Sequence, residues 1–227
     1  RSSDLHQATV GISVGVALSP EAGVERSELA RKADIALYQA KKRGGCGFAF
    51  YTEEMSATLK ERQLLESELR GALEADGQLE VVYQPIVSTR ELLVTGVEAL
   101  LRWNHPRLGT VRPPVFIPIA EECGLIDKLG ERVMREACRT AGALDIGTVA
   151  VNVSPLQLQD PGFVRRVFSI LSQTGMAADR LEIEITESAL LDSSGSTAKS
   201  LRLLRSRGVR IALDDFGTGY SSLSYLI

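Results

Sequence analysis

The sequence predicts a mixed α/β protein, in which an incomplete (β/α)₈ TIM-type barrel follows a small α+β unit and a connecting helix. From Leu79 onward, short β-rich runs alternate with helical patterns, which is typical of parallel strands joined by crossover helices. The stretch from Leu79 to Ile227 is far shorter than the roughly 250 residues of a closed barrel. We therefore expect a barrel that lacks its last strands.

Hydrophobic patterning gives the elements of the barrel region. Runs of β-branched and other apolar residues predict strands, and apolar residues that recur every three or four positions predict helices. The predicted strands cover residues 79–87, 94–103, 148–153, 181–186 and 209–214. The predicted helices cover residues 114–122, 126–143, 161–173 and 197–206.

The first fifty residues have a pattern of their own. An almost continuous apolar run at 8–18 predicts a buried strand, helical spacing follows at 27–43, and 48–51 predicts a second strand. Gly44 and Gly45 end the helix, as glycine commonly does. A strand, a helix and a strand do not bury a core alone, so we expect this unit to be part of a larger domain.

A leucine-bearing, charged segment at 51–76 predicts a helix that connects the first unit to the barrel. Its apolar stripe also suits packing on one neighbour or pairing of two chains. The predicted division of the chain is an N-terminal unit at 1–51, a linker helix at 52–77 and a barrel domain at 78–227.

Composition excludes some partners. The 227 residues are 44% hydrophobic and 24% charged, with a net charge of −3. A nucleic-acid polymer requires a basic surface, so we expect no such partner. No apolar run approaches the roughly 18 residues of a membrane span, so this segment is expected to make no membrane contact. Cys46, Cys123 and Cys138 lack metal-ligand spacing, which indicates incidental thiols in the reducing cytoplasm, although upstream segments could tether a longer parent to a membrane.

Acidic and amide side chains follow the predicted strands. Glu98 is predicted late in the second strand, and Glu184 lies within the fourth. Asn152 ends the third strand, and Asp214 and Asp215 end the fifth. The carboxyl ends of parallel strands meet at one edge of the sheet, where loops converge on one opening. Several carboxylates gathered there would repel one another without a cation, and oxygen ligands suit Mg²⁺ or Mn²⁺.

Each of these residues also has a simpler interpretation. Asn152 would cap the turn that follows it, Glu98 or Glu184 would pair with a nearby arginine, and the Asp-Asp pair would begin a turn. For a single position the simpler interpretation is preferable. The joint placement at successive strands favours a metal site.

The surrounding motifs are more specific. They are YQPI at 83–86, EALLRW at 98–103, VNVS at 151–154, EITE at 184–187 and DDFGTGYSSL at 214–223. All five, in this order, resemble the signatures of EAL domains, including the tripeptide that names the family. The resemblance covers residues 79–227 and implies hydrolysis of cyclic di-GMP to linear pGpG, with two Mg²⁺ or Mn²⁺ ions and with Ca²⁺ as an inhibitor. It also implies a homodimer formed through the EAL domain.

The resemblance also implies roles for individual residues. The residues similar to ligands of one metal are Glu98, Asn152, Glu184 and Asp214. Asp215 resembles a ligand of the second metal that also holds the attacking water. Gln84 resembles a residue that meets a guanine edge, Arg102 one that binds phosphate, and Leu100 one that lines the substrate site. Glu187 resembles a catalytic residue that shapes the loop near the metals and the dimer contact, and the corresponding loop residues are Phe216, Gly217, Thr218, Gly219, Tyr220 and Ser221.

The family completes its site with a lysine on the next strand, a metal-binding glutamate and a substrate-binding glutamine, all expected beyond Ile227. Lys199 lies on a predicted helix before the Asp-Asp pair and cannot replace that lysine. We therefore expect the 227-residue chain alone to be inactive and a longer parent to be the enzyme. The alternatives are an EAL domain that binds cyclic di-GMP as a receptor or contacts a partner protein, and an unrelated barrel hydrolase.

The N-terminal unit carries a second resemblance. ISVGVA at 12–17 and ADIALYQAK at 33–41 resemble the last third of GGDEF domains, which make cyclic di-GMP from GTP. Lys41 matches a phosphate-contacting position, but Gly45 and Cys46 replace the arginine and asparagine usual in that family. We expect no cyclase activity from this part.

Overall fold

The computed structural model describes residues 11–42, 44–75, 77–144, 146–186 and 195–214 of the chain. The chain divides into two units, with the boundary between Leu65 and Glu66. Among the described residues, no helix combines the length and the apolar character that a membrane crossing requires.

The part of the first unit that the structure describes contains two short parallel strands and a helix between them. Its elements are strand β1 (Val14–Val16), helix α1 (Arg26–Lys42), strand β2 (Phe48–Phe50) and the first part of helix α2 (Glu53–Glu74). Ala36 and Ala40 of α1 pack with Ala49 of β2 in a small core. Lys32 is buried, and its ammonium group lies 3.0 Å from a carboxylate oxygen of Glu53. An ion pair thus fixes the start of α2 against α1.

In its described residues, the second unit is built on a six-stranded sheet covered by helices. Its elements after α2 are β3 (Leu79–Val87), β4 (Val94–His105), β5 (Gly109–Val111), α3 (Pro113–Glu122), α4 (Ile126–Ala143), β6 (Thr148–Asn152), α5 (Pro155–Gln159), α6 (Phe163–Thr174), a 3₁₀ turn (Ala178–Arg180), β7 (Leu181–Thr186), α7 (Gly195–Ser206) and β8 (Arg210–Asp214). The strand order is β3-β4-β6-β7-β8, and β5 pairs with the far end of β4. The mixed α/β prediction is confirmed.

The prediction of parallel strands throughout is wrong for the first pair. Strand β3 pairs with β4 in antiparallel fashion, and the parallel pairs in the described part of the second unit are β4-β6, β6-β7 and β7-β8. The physical reason is the connection between β3 and β4, which is a tight turn in which the Ser88 amide donates to the Leu93 carbonyl at 2.9 Å. A parallel pair needs a crossover of a dozen or more residues, and this turn is too short to provide one.

Strand β4 also continues further than predicted, and the short elements β5 and α5 were not predicted at all. Asn104 and His105 extend β4 by pairing with Thr110 and Gly109 of β5. A three-residue strand and a five-residue helix are too short to show a hydrophobic period. The antiparallel β3-β4-β5 meander therefore precedes the parallel part of the sheet.

Alternation along the strands separates two faces of the sheet. On β4, Val97, Ala99, Leu101 and Trp103 are buried, while the residues between them are less covered. Successive side chains of a strand point to opposite faces, so the apolar set lies together on one face. The other face of the sheet carries the polar residues considered below.

A polar contact attaches the second part of α2 to the end of β4. His105 is buried, and its Nε2 atom forms a short contact with the carboxylate of Glu68. The Nδ1 atom of His105 accepts hydrogen bonds from the backbone amides of Arg107 and Leu108, both at 3.1 Å. Because Nδ1 accepts, Nε2 is the atom that carries the proton and donates to Glu68.

Candidate functional site

Strand register brings the predicted site residues to one face of the sheet. Residues paired across neighbouring strands share a face, and so do residues two apart along a strand. The register pairs Gln84 with Glu98, Glu98 with Ala150, Asn152 with Glu184, and Thr186 with Asp214. By this rule the following residues share the polar face: Gln84, Glu98, Leu100, Arg102, Asn152, Glu184 and Asp214.

The predicted position of Glu98 late in its strand is wrong, because β4 continues to His105 and Glu98 lies in its first half. The parallel pairing of β4 with β6 nevertheless ends at Ala99, one residue after Glu98. Glu98 therefore lies near the carboxyl end of the parallel part of the sheet. The expected convergence with Asn152 and Glu184 holds for this reason.

Three of the predicted residues lie together at the end of the parallel strands. The amide nitrogen of Asn152 donates to Oε1 of Glu98 at 2.7 Å. Glu184 is paired with Asn152 across β6 and β7, and its carboxyl group lies near enough to that of Glu98 for the two to repel each other. The bond from Asn152 uses the amide nitrogen and leaves the amide oxygen as a candidate ligand. Two carboxyl groups and one amide oxygen are thus gathered where the parallel strands end.

The electrostatics of this group favour a cation. Burial, followed by the nearby carboxylates of Glu98, Asp214 and Glu182, raises the pKa of Glu184 from 4.5 to about 7. A positive ion among these oxygens would relieve the repulsion, and the donor set fits a hard divalent cation such as Mg²⁺ or Mn²⁺. Within the described ranges, no three His, Cys, Asp or Glu side chains are close enough to hold a metal by themselves. The predicted residues Glu187, Asp215 and 216–221 lie outside the described residues.

A cavity of about 270 Å³ opens beside these residues. Its walls include Leu100, Asn152 and Glu184 from the sheet, and apolar residues of α3 and α4. Arg102 and Gln84 do not line it. The Nη1 atom of Arg102 donates to the Leu101 carbonyl at 3.0 Å. The cavity therefore extends from Asn152 and Glu184 to apolar residues of α3 and α4.

The cavity wall also contains Glu121, Ser154 and Gln157, which sequence reasoning missed as site residues. Ser154 caps α5 in a capping box with Gln157. The spacing of a serine and a glutamine three residues later is a recognised start signal for a helix and would have located this cap. The alternative role of Asn152 as a cap is therefore wrong, because Ser154 is the capping residue.

Comparison with known proteins identifies the family. The family model for the EAL domain matches residues 66–227 of the sequence. This range begins at the first residue of the second unit. The chain belongs to the EAL domain family. This EAL chain is 46% identical over 224 residues to an uncharacterised signalling protein of Caulobacter vibrioides, covering 98% of the chain and 28% of that protein. It is 42% identical over 226 residues to the bifunctional diguanylate cyclase/cyclic di-GMP phosphodiesterase MucR of Pseudomonas aeruginosa, covering 97% of the chain and 33% of MucR.

A solved structure of the PaMucR phosphodiesterase in complex with c-di-GMP has the same EAL fold. The TM-score is 0.68 at 43% sequence identity, and the match covers 72% of this chain and 68% of that one. The chain spans about a third or less of the length of these two curated relatives.

Proposed function

We propose that this chain is the phosphodiesterase part of a cyclic di-GMP signalling protein, which hydrolyses one phosphodiester bond of cyclic di-GMP to give linear pGpG. The observation that carries the proposal is the grouping of Glu98, Asn152 and Glu184 on one face of an EAL-family sheet. The similarity to MucR, named as a cyclic di-GMP phosphodiesterase, supports this substrate and reaction.

In this proposal, the oxygens of one metal site come from Glu98, Asn152, Glu184 and Asp214, and Asp215 contributes to a second. The family depends in general on divalent metals, and Mg²⁺ or Mn²⁺ fits these oxygens, while Ca²⁺ would occupy them without supporting turnover. Bound divalent ions supply an activated water and neutralise the charge that develops on the phosphate.

The remaining roles concern the substrate. Arg102 is proposed to bind a phosphate oxygen through its planar guanidinium group. Its guanidinium group donates to a backbone carbonyl on its own strand, and the proposed role requires it to donate to phosphate instead. Gln84 is proposed to meet a guanine edge, Leu100 to pack on the substrate, and Glu187 to act with the loop 216–221 near the metals.

The architecture around the site belongs to the proposal as well. The second unit is proposed to be part of a (β/α)₈ barrel that forms homodimers, in which the β3-β4 hairpin opens the sheet. The first unit is proposed to be the last part of a GGDEF-type domain, joined to the barrel by α2. The β1-α1-β2 order and the parallel pairing of its two strands agree with this view.

Calorimetric titration with cyclic di-GMP, first in Ca²⁺ and then in Mg²⁺ with product analysis, tests the proposed function in the full-length protein. We expect saturable binding in Ca²⁺ and release of pGpG in Mg²⁺. Glu182→Gln is the control for a general loss of negative charge near the site. Glu182 lies on the same strand and face as Glu184 but is not a proposed metal ligand, so this variant should keep turnover. Binding without product in Mg²⁺ would make the protein a receptor, and absence of binding would contradict the proposal entirely.

A further inference from the structure

A hydrogen-bonded bridge joins α3 to the segment that follows Asn152. The hydroxyl of Ser154 donates to Oε1 of Glu121 at 2.7 Å. The same hydroxyl oxygen accepts a hydrogen bond from the backbone amide of Leu156 at 3.2 Å. Only the second of these bonds is needed to cap α5, because an N-cap side chain acts by accepting a backbone N–H bond. The bond to Glu121 is therefore an additional restraint.

Gln157 holds the same segment from a second side. Its Oε1 atom accepts a bond from the backbone amide of Ser154 at 3.1 Å, and the side chain is buried against Gly130 of α4. A Cβ atom at Gly130 would lie 2.1 Å from Nε2 of Gln157, so only glycine permits this approach. Gln157 is therefore packed directly against the backbone of α4.

A third restraint comes from the neighbouring strand. The backbone amide of Val153 donates to the carbonyl of Glu184 at 2.9 Å. Asn152 thus precedes two residues that are held by hydrogen bonds to β7, α3 and α5. An asparagine amide can rotate about two side-chain bonds, and its direction depends on how firmly its backbone is fixed.

We propose that Glu121 and Ser154 are positioning residues for Asn152, which keep its amide oriented between Glu98 and the metal. The inference rests on the proposed function for the identity of the metal site. It adds a task for Glu121, a residue of α3 that contacts neither Glu98 nor Asn152 through a described hydrogen bond. Partners that orient metal ligands commonly change metal affinity 10- to 100-fold when they are removed.

Substitutions at Glu121 separate this role from helix capping. Glu121→Ala removes the acceptor and leaves the cap of α5 intact, whereas Glu121→Gln keeps an oxygen that can accept from Ser154. We expect Mn²⁺ affinity, measured by calorimetry on the full-length protein, to fall about 10-fold in Glu121→Ala and to remain within about twofold in Glu121→Gln. The matched control is Glu122→Ala, which removes a neighbouring carboxylate from the same helix and should leave affinity unchanged.

A double-mutant cycle tests whether Ser154 acts through the same bond. Ser154→Ala should lower Mn²⁺ affinity by a similar factor, and the Glu121→Ala/Ser154→Ala double variant should lower it no further. Ser154→Thr keeps the hydroxyl and should restore the affinity. Additive losses in the double variant, with Ser154→Thr as weak as Ser154→Ala, would overturn the assignment of one shared bond.

The final measurement is independent of metal and activity. The side-chain amide signals of Asn152 in ¹⁵N NMR spectra of the metal-free protein report its bond to Glu98. They should shift or broaden in Glu121→Ala and remain unchanged in Glu122→Ala. Unchanged signals in a folded Glu121→Ala protein would overturn the positioning role. If the wild type binds no Mn²⁺ while the signals do change, the proposed function fails and the positioning role stands.

Discussion

Glu184→Gln is expected to lower the rate of cyclic di-GMP hydrolysis at least about 1,000-fold, with the protein still folded. Glutamine has the same shape but no charge, so the metal would lose one of its anionic ligands. Glu184 lies near Glu98, and a neutral amide in its place cannot balance the charge of the cation. Steady-state kinetics with Mg²⁺ on the full-length protein would measure the loss.

The same substitution is expected to stabilise the metal-free protein. The pKa of Glu184 is raised from 4.5 to about 7 in the folded state, so its ionised form disfavours folding. Between these two pH values the folded state binds more protons than the unfolded state, and stability therefore falls as pH rises. The gain from glutamine should be roughly 1–2 kcal/mol above pH 7, allowing for solvent screening at this half-buried group, and absent below about pH 4.5.

Urea unfolding in EDTA at pH 8 and pH 4.5 would measure this gain. Glu91→Gln serves as the control, since it removes a charge from the exposed turn between β3 and β4 and Glu91 does not contribute to the raised pKa of Glu184. A Glu184→Gln protein that is less stable than wild type at pH 8 would contradict the repulsion on which the metal site is argued. Retained turnover in that protein would contradict the proposed role of Glu184.

Trp103→Ala is expected to lower the free energy of unfolding by about 3–5 kcal/mol. Trp103 is fully buried, and its ring lies 5.3 Å from that of His105 and 5.7 Å from that of Phe116. Its indole nitrogen donates to Oε1 of Gln78 at 3.3 Å. Urea denaturation followed by circular dichroism would measure the change.

Two further variants make this result interpretable. Trp103→Phe keeps an aromatic ring but loses the bond to Gln78, and should cost less than half as much. Leu92→Ala removes a side chain that is 79% exposed and should change stability by less than about 0.5 kcal/mol. Equal losses from Trp103→Ala and Leu92→Ala would contradict the burial of Trp103 in the core of the second unit.

The long elements of the second unit could be predicted from sequence because their periodicity is local. The predicted bounds of β3, β7 and α4 agree with the structure at every residue. In α4 the buried positions Leu129, Val133, Ala137 and Ala141 recur at every fourth residue, so the helical period is unbroken. The direction of β3 could not be obtained in this way, because an apolar strand has the same pattern whether its partner is parallel or antiparallel.

The same distinction applies to the site. Carboxylates next to strands could be recognised individually, and register then explains why Glu98, Asn152 and Glu184 meet. The contact between Glu121 and Ser154 joins residues 33 positions apart, so no short-range sequence pattern predicts it. Glu121 resembles any solvent-facing glutamate at the end of a helix until α3 is packed beside α5.

The antiparallel meander at the start of the sheet has a consequence for folding kinetics. Strands β3, β4 and β5 pair through two short turns, whereas each parallel pair must first close a loop containing at least one helix. Closing short loops costs less entropy, so local pairings generally form earlier. We expect the meander to nucleate the sheet, with φ-values near Val82 and Leu100 above those near Ile183. The meander would then hold Gln84, Glu98 and Arg102 in place first. Pairing of β6 and β7 would afterwards bring Asn152 and Glu184 to the site.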